Sequence, residues 1–433
     1  MKSNKLWTIV VVLLVVFMSG FYTARSEGRL NKVASLLYMV GEVIVAPFYI
    51  DGLRDDIQYT EDRWQRKGVT INVEGKRDQS EYILYAQANS TTVKLINRHG
   101  REEHSWMVPY SKVWGGDQSH MNVPKKLSND FFYIRDFHLY DDGSIVVMMN
   151  VAGTTPWGAG IIKVDKDSNV LWSWRGSTNN DLEITPEGNI LITNQDIVIK
   201  NLTGIVEKAE DGYISAELVT LSPDGKELER VSIVDKVLKS EFRDMVKFYH
   251  IVGGDFLHMN SIDYISESHP EISWIKEGYI LLSLRNMNTI AVFDPVGKEV
   301  VHAFRGGFVM QHDIDYHPDT GTFMVYDNRG ALGPGGHTRI LEFLPETNEE
   351  VWSYKGTKDR PFHSNFWGVQ QRLSNNNVMT VEAEQGRLIE VTRDGEIVWE
   401  YFLSDMKELE GKLNTATISS FEAIGKEYLT WMH

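Results

Sequence analysis

The sequence predicts an all-β chain folded as a six-bladed β-propeller, and three observations carry that prediction. From Val69 onward, short apolar runs alternate with Asp-Gly, Glu-Gly, Asn-Gly and Pro-Asp turns, which is the pattern of hairpins. The chain holds 12 Trp, 18 Tyr and 18 Phe, residues that favour a pleated, half-buried surface. Similar units also recur: His258, His312 and His363 open three of them, 54 and 51 residues apart. A period of about 40 to 50 residues is that of propeller blades with four strands each.

At 433 residues with 42% hydrophobic residues, the chain is long enough for one closed all-β domain with a sizeable core. The net charge of −16 argues against nucleic acid or an anionic membrane surface as the main partner. An anionic substrate therefore needs a locally basic pocket inside an acidic shell. The absence of cysteine excludes disulfides, thiolate zinc sites and a cysteine nucleophile.

Taken in order, Lys2 and Lys5 precede the uncharged run Leu6 to Ala24, long enough to span a bilayer as a helix. A cleaved signal peptide is the alternative, but Tyr22-Thr23-Ala24 lacks the small residue three back from a cut. The expectation is an uncleaved anchor over residues 1–25, single-pass in the inner membrane, with its N-terminus cytoplasmic and its body in the periplasm. Leu30 to Ile50 is apolar but holds Glu42 and Pro47, so residues 26–68 read as a juxtamembrane helical segment rather than a second span. Residues 69–433 then form the propeller.

Within it, Tyr82 to Pro109 is a degenerate first unit. The second runs from His138 to Trp174, the third from Asp181 to Gly225 and the fourth from His258 to Gly297. The fifth runs from Gln311 to Tyr354 and the sixth from His363 to Tyr401. The irregular stretch Asn201 to Gly254 leaves the count open by one, as does a C-terminal tail placed to complete a blade.

The innermost strand of each blade lines the central channel, and the loop entering it lies on one rim. His258, His312 and His363 share one repeat phase, with His138 read at the matching place of an earlier unit. Arg285 and Arg329 each close a second-strand motif, Leu-Leu-Ser-Leu-Arg and Val-Tyr-Asp-Asn-Arg. Imidazole serves as acid, base or nucleophile, and guanidinium suits a tetrahedral oxyanion. The competing reading is a histidine that only bonds its own blade's turn. No His-Glu-x-x-His pairing occurs, so no metal site is expected. Trp172, Trp352 and Trp399, near blade ends, are packing residues.

Leu257 to Ile262, Ile280 to Arg285 and Gln311 to Arg329 together resemble the bacterial arylsulfate sulfotransferases. The resemblance implies a periplasmic six-bladed propeller that moves a sulfuryl group from a phenolic sulfate ester to another phenol through a sulfohistidine. It implies no nucleotide donor and hence no cofactor. By that likeness His258, His312 and Arg329 hold the sulfate, with Asn260, Arg285 and Arg387 as further substrate contacts. The chain departs from the family pattern at Gln385 to Glu390, which puts Arg387 where the nucleophilic histidine belongs. An arginine cannot accept a sulfuryl group, so His363 is the substitute nucleophile. The expected ligand is an aryl sulfate or similar small anion. The alternative is a non-catalytic, membrane-anchored propeller that serves as a binding or scaffold subunit for a membrane-protein partner.

Overall fold

The computed structural model describes residues 66–432, apart from 122–125, 153–155, 203–204, 207–211, 248–253, 329–336, 358, 405, 410–411 and 416. The expected anchor and the juxtamembrane segment up to residue 65 lie outside the described residues, as does Arg329. Among the described residues no helix is long and apolar enough to cross a membrane.

Six antiparallel sheets form the six blades, each running from an inner to an outer strand. Blade 2 comprises Phe132–Leu139, Ile145–Val151, Gly158–Val164 and Val170–Trp174. Blade 3 comprises Thr178–Ile184, Ile190–Asn194, Glu217–Leu221 and Glu227–Ser232. Blade 4 follows as Met259–Tyr264, Ile280–Leu284, Thr289–Asp294 and Glu299–Phe304, and blade 5 as His312–His317, Thr322–Asp327, Arg339–Phe343 and Glu350–Tyr354. Blade 6 comprises Gln370–Arg372, Val378–Glu382, Arg387–Val391 and Ile397–Phe402.

The ring closes twice through the chain ends. Ile418–Ile424 supplies the inner strand of blade 1, beside Tyr82–Gln87, Thr92–Asn97 and Glu102–Met107. Gly68–Asn72 adds a fifth, outermost strand to blade 6. The degenerate first unit of the sequence is thus a three-stranded piece that the C-terminal tail completes. Closure covers the sheet edges that an open array would leave unpaired.

Side chains fasten neighbouring blades at two radii. At the outside, indole N–H groups donate to a turn of the next blade: Trp106 to the Gly143 carbonyl at 3.0 Å, Trp172 to Pro223 at 3.1 Å, Trp352 to Arg393 at 2.8 Å and Trp399 to Arg98 at 2.9 Å. The packing role expected for Trp172, Trp352 and Trp399 is therefore joined by a hydrogen bond, worth about 0.5–1.5 kcal/mol each. The apolar core is likewise divided among inter-blade faces, with Leu84, Trp106, Phe132 and Ile145 in one cluster and Leu281, Ile290, Phe308 and Phe323 in another.

Around the axis, each inner strand bonds the backbone of the next. Asp136 accepts the Leu182 N–H at 3.0 Å and Asp181 accepts the Ile262 N–H at 2.7 Å. Ser261 and Asp263 accept the N–H groups of Ile314 and Tyr316 at 3.1 and 3.0 Å. Asp313 accepts the Gln370 N–H at 2.5 Å. The Gln371 amide pairs with both backbone groups of Ala423, and the Ser420 hydroxyl donates to Asp136 at 2.7 Å. This belt passes through all six blades, and its equivalences fix the phase of every inner strand.

Candidate active site

A recurring bulge sets the geometry of the channel mouth. The inner strands slip register against their neighbours at Ile134/Asp136, at Met259/Ser261 and at His312/Asp315, and blades 1 and 3 do the same opposite Ala86/Gln87 and Ile192/Asn194. A bulge turns consecutive side chains toward one side, which plain alternation forbids. Two successive residues of several blades therefore line one small cavity: Arg135 and Asp136, Asn180 and Asp181, Asn260 and Ser261, His312 and Asp313. The backbone is bent for this arrangement. His258, Met310 and Asp313 hold φ values of 48°, 52° and 50°, at a cost of about 1–2 kcal/mol each for a non-glycine residue. Gly368 also lines the cavity, and a Cβ there would meet the Tyr326 ring at 2.1 Å.

The cavity measures about 30 Å³, against on the order of 150 Å³ for a site that encloses benzene. It takes a small polar head group and leaves any aromatic ring on the rim side. Aromatic residues stand around the groups of that side. Trp157 meets the His258 ring edge-on at 5.5 Å, and Trp367 lies 5.1 Å beneath the Arg135 guanidinium and 5.8 Å from Tyr133.

His312 is the best-defined group in the cavity. Its Nδ1 lies 2.7 Å from the Asn328 Oδ1 and 3.2 Å from the Met310 carbonyl. Both are acceptors, so Nδ1 carries the proton and Nε2 keeps its lone pair. Burial holds the His312 pKa well below the usual imidazole range, and the charges of Arg285 and Arg135 push the same way. The ring is thus a neutral nitrogen nucleophile set among cations.

Arg285 follows the second strand of blade 4. Its N–H bonds the His258 carbonyl at 3.1 Å, and Nη1 donates to Asn286 at 2.9 Å. Its Nε is buried without a hydrogen-bond partner, and burial brings the guanidinium pKa down to about 10, against the pull of Asp255. Asn260 donates to the Gln311 carbonyl at 2.9 Å and leaves its own Oδ1 unpartnered. Among the described residues both atoms lack a partner, and an unsatisfied buried polar atom invites a ligand. His258 itself is held by Asp255, Nδ1 to Oδ2 at 2.5 Å.

Three phase expectations change, the first being that the belt sets Asn260, two residues past His258, as the counterpart of His312. His138 sits at the far end of its inner strand, edge-on to Tyr140 at 4.9 Å, and the belt makes Arg135 the counterpart of His312. His363 precedes the inner strand of blade 6 by seven residues and does not line the cavity. Its backbone N–H bonds Glu382, its Nε2 bonds Asn365, and its charged neighbours are Glu384, Glu382 and His337. Arg387 lies on the third strand of blade 6, buried between Glu382 at 2.6 Å and Glu400, with Nη1 also on the Pro361 carbonyl. Burial opposes its charge, and the two carboxylates more than offset this and raise its pKa. The structure brings together His258, His312, Asn260, Arg285 and the unanticipated Arg135, Asn180 and Asn328.

The model of the family described as arylsulfotransferase (ASST) matches residues 136–403, more than half of the chain. No curated protein matches. Among solved structures, a protein of unknown function from Bacteroides caccae is 12% identical with a TM-score of 0.49, covering 78% of this chain and 97% of that one. A streptogramin B lyase gives 12% identity and a TM-score of 0.41, covering 79% and 89%. The virginiamycin B lyase of Staphylococcus aureus gives 12% and 0.40, covering 78% and 84%. Similarity this distant says nothing about chemistry.

Proposed function

The chain belongs to the arylsulfotransferase (ASST) family, and from that premise we propose that it transfers a sulfuryl group from an aryl sulfate ester to a phenolic acceptor through His312. The observation that carries the reading is the neutral, tautomer-fixed His312 among Arg285, Arg135 and His258. In the first half-reaction Nε2 attacks sulfur, the aryl oxygen–sulfur bond breaks, and its electron pair leaves with the aryl oxygen. In the second, the acceptor oxygen attacks sulfur and the sulfur–nitrogen bond returns its pair to His312. Arg285 and Arg135 neutralise the sulfate oxygens, and Asn260 offers an acceptor to a hydroxyl. Trp157, Trp367 and Tyr133 are placed to flank an aromatic ring at the rim. Arg329 stays in the proposal by its sequence position after Asn328. His363 and Arg387 take no part in it.

Incubation with 4-nitrophenyl sulfate and phenol should yield nitrophenol and phenyl sulfate together, and His312→Ala should abolish both. Binding of the ester without turnover would instead favour a binding or scaffold subunit. The run Leu6–Ala24 after Lys2 and Lys5 supports a single-pass anchor with the propeller in the periplasm. Protease added to sealed spheroplasts should then digest the propeller, and protection of the whole chain would sink that placement.

A further inference from the structure

Sulfuryl transfer needs a proton as well as a nucleophile, because an unactivated phenolate leaves poorly and a phenolic acceptor must lose its proton. The cavity that holds His312 also holds two carboxyl groups, Asp136 on blade 2 and Asp181 on blade 3. Backbone fixes them from outside: Asp136 Oδ2 accepts the Leu182 N–H and Asp181 Oδ2 accepts the Ile262 N–H. Asp136 Oδ1 accepts the Ser420 hydroxyl. The two carboxyls line the same cavity and lie within interaction range, so each disfavours ionisation of the other.

The surroundings decide where that proton stays. Asp313 of blade 5 faces the pair, and Glu183 and Glu422 lie within electrostatic reach of Asp136. Arg135, the cation nearest in the chain, bonds Asn180 and the Ser419 carbonyl rather than a carboxylate. Burial, then the neighbouring carboxyls Asp136 and Asp313, raise the Asp181 pKa well above the usual carboxylate range. One cavity therefore contains the His312 imidazole, the Arg135 guanidinium and a carboxyl that holds its proton to higher pH than usual.

Resting on the sulfuryl-transfer reading, we propose that the Asp136–Asp181 pair is the acid–base of the reaction. Asp181 gives its proton to the aryl oxygen as the sulfur–oxygen bond breaks, leaving the pair with one more negative charge beside the sulfurylated His312. The acceptor hydroxyl then returns a proton to the pair as its oxygen bonds sulfur. Over one cycle the pair is unchanged, and no further reactant is needed.

Asp181→Asn is the informative variant, because an amide can keep the hydrogen bond from the Ile262 N–H but carries no transferable proton. It should slow aryl release from unsubstituted phenyl sulfate by about 10²-fold or more. Release from 4-nitrophenyl sulfate, whose phenolate leaves without help, should fall far less, so the ratio of the two rates changes at least about tenfold. A carboxylic-acid carbonyl band in the wild-type infrared spectrum at neutral pH should diminish in the variant. Equal losses on both donors, no loss on either, or an unchanged infrared band would overturn the assignment while the transfer reading stands. Wild-type protein that releases nothing from 4-nitrophenyl sulfate would end both.

Discussion

His312 and Asn328 are joined by a 2.7 Å hydrogen bond whose direction is set from the far side. The Asn328 amide nitrogen is shared among the carbonyls of Ser364, Phe366 and Trp367 at 3.1, 3.2 and 3.1 Å. Its oxygen can therefore only face the imidazole, and the imidazole can only present an unprotonated Nε2 to the cavity. A side chain just past the second strand of blade 5 thus decides the tautomer of a side chain on the first.

Removing this lock should leave a folded protein with a misassigned proton. Asn328→Ala is expected to lower kcat for 4-nitrophenyl sulfate on the order of 10²-fold or more, with a smaller effect on KM. The 15N chemical shifts of His312 should move toward a tautomer mixture. A normal kcat with normal shifts would show that the bond is only structural.

Arg285 should act on donor binding. Each charge-assisted bond to an oxyanion contributes about 1.5–3 kcal/mol, so Arg285→Met is expected to raise the donor KM roughly 10- to 150-fold. Arg285→Lys should recover part of the loss, since charge is restored without the guanidinium fork. Steady-state kinetics with varied donor checks this, and an unchanged KM would place the sulfate elsewhere.

Stability should fall as pH rises through neutrality. Glu183 is raised to about 8 by burial and by Asp315 and Asp136, and Glu422 to about 7 by burial and by Asp136. Asp181, Asp263, Asp313 and Asp315 are raised by the same causes, burial first. A carboxyl whose folded pKa lies above its unfolded value of about 4 binds its proton more tightly when folded. Its penalty is absent below that value and complete above the folded pKa. The urea midpoint should accordingly drop between pH 5 and pH 8, and Glu183→Gln should flatten the slope. A midpoint that rises over this interval would show the column to be ionised and otherwise compensated.

Arg387 should matter to folding. Replacing it by Met removes the buried ion pairs to Glu382 and Glu400, a change that costs about 3–5 kcal/mol. Denaturant unfolding should show this loss, while the enzyme that remains folded keeps its kcat. A fall in kcat without a fall in stability would put the guanidinium in the reaction.

The blade units were legible because turns and apolar alternation are local signals, whereas which blade the C-terminal tail completes depends on a pairing across the whole chain. The site was legible only where residue type advertised it. His258 and His312 were found by residue type, but matching histidine to histidine put His258 where the belt has Asn260 and His138 where it has Arg135. The bulges cause this, since an extra residue near Ile134 and another near His312 shift which side chains enter the channel, and no composition signal marks them. The carboxylate column did leave a trace, in Asp181-Leu182-Glu183 and Asp313-Ile314-Asp315, where acids two apart on a strand share one face. Asn328 left none, because its role depends on three carbonyls about forty residues further along.

The central claim is that His312 carries the sulfuryl group. Wild-type protein should be mixed with 4-nitrophenyl sulfate without acceptor, quenched in alkali to preserve a sulfur–nitrogen bond, digested and mapped by mass spectrometry. The account predicts one sulfuryl group per chain on the peptide containing His312, lost when phenol is added before the quench. Label on the His363 or His258 peptide, or a burst of nitrophenol with no labelled histidine at all, would contradict it.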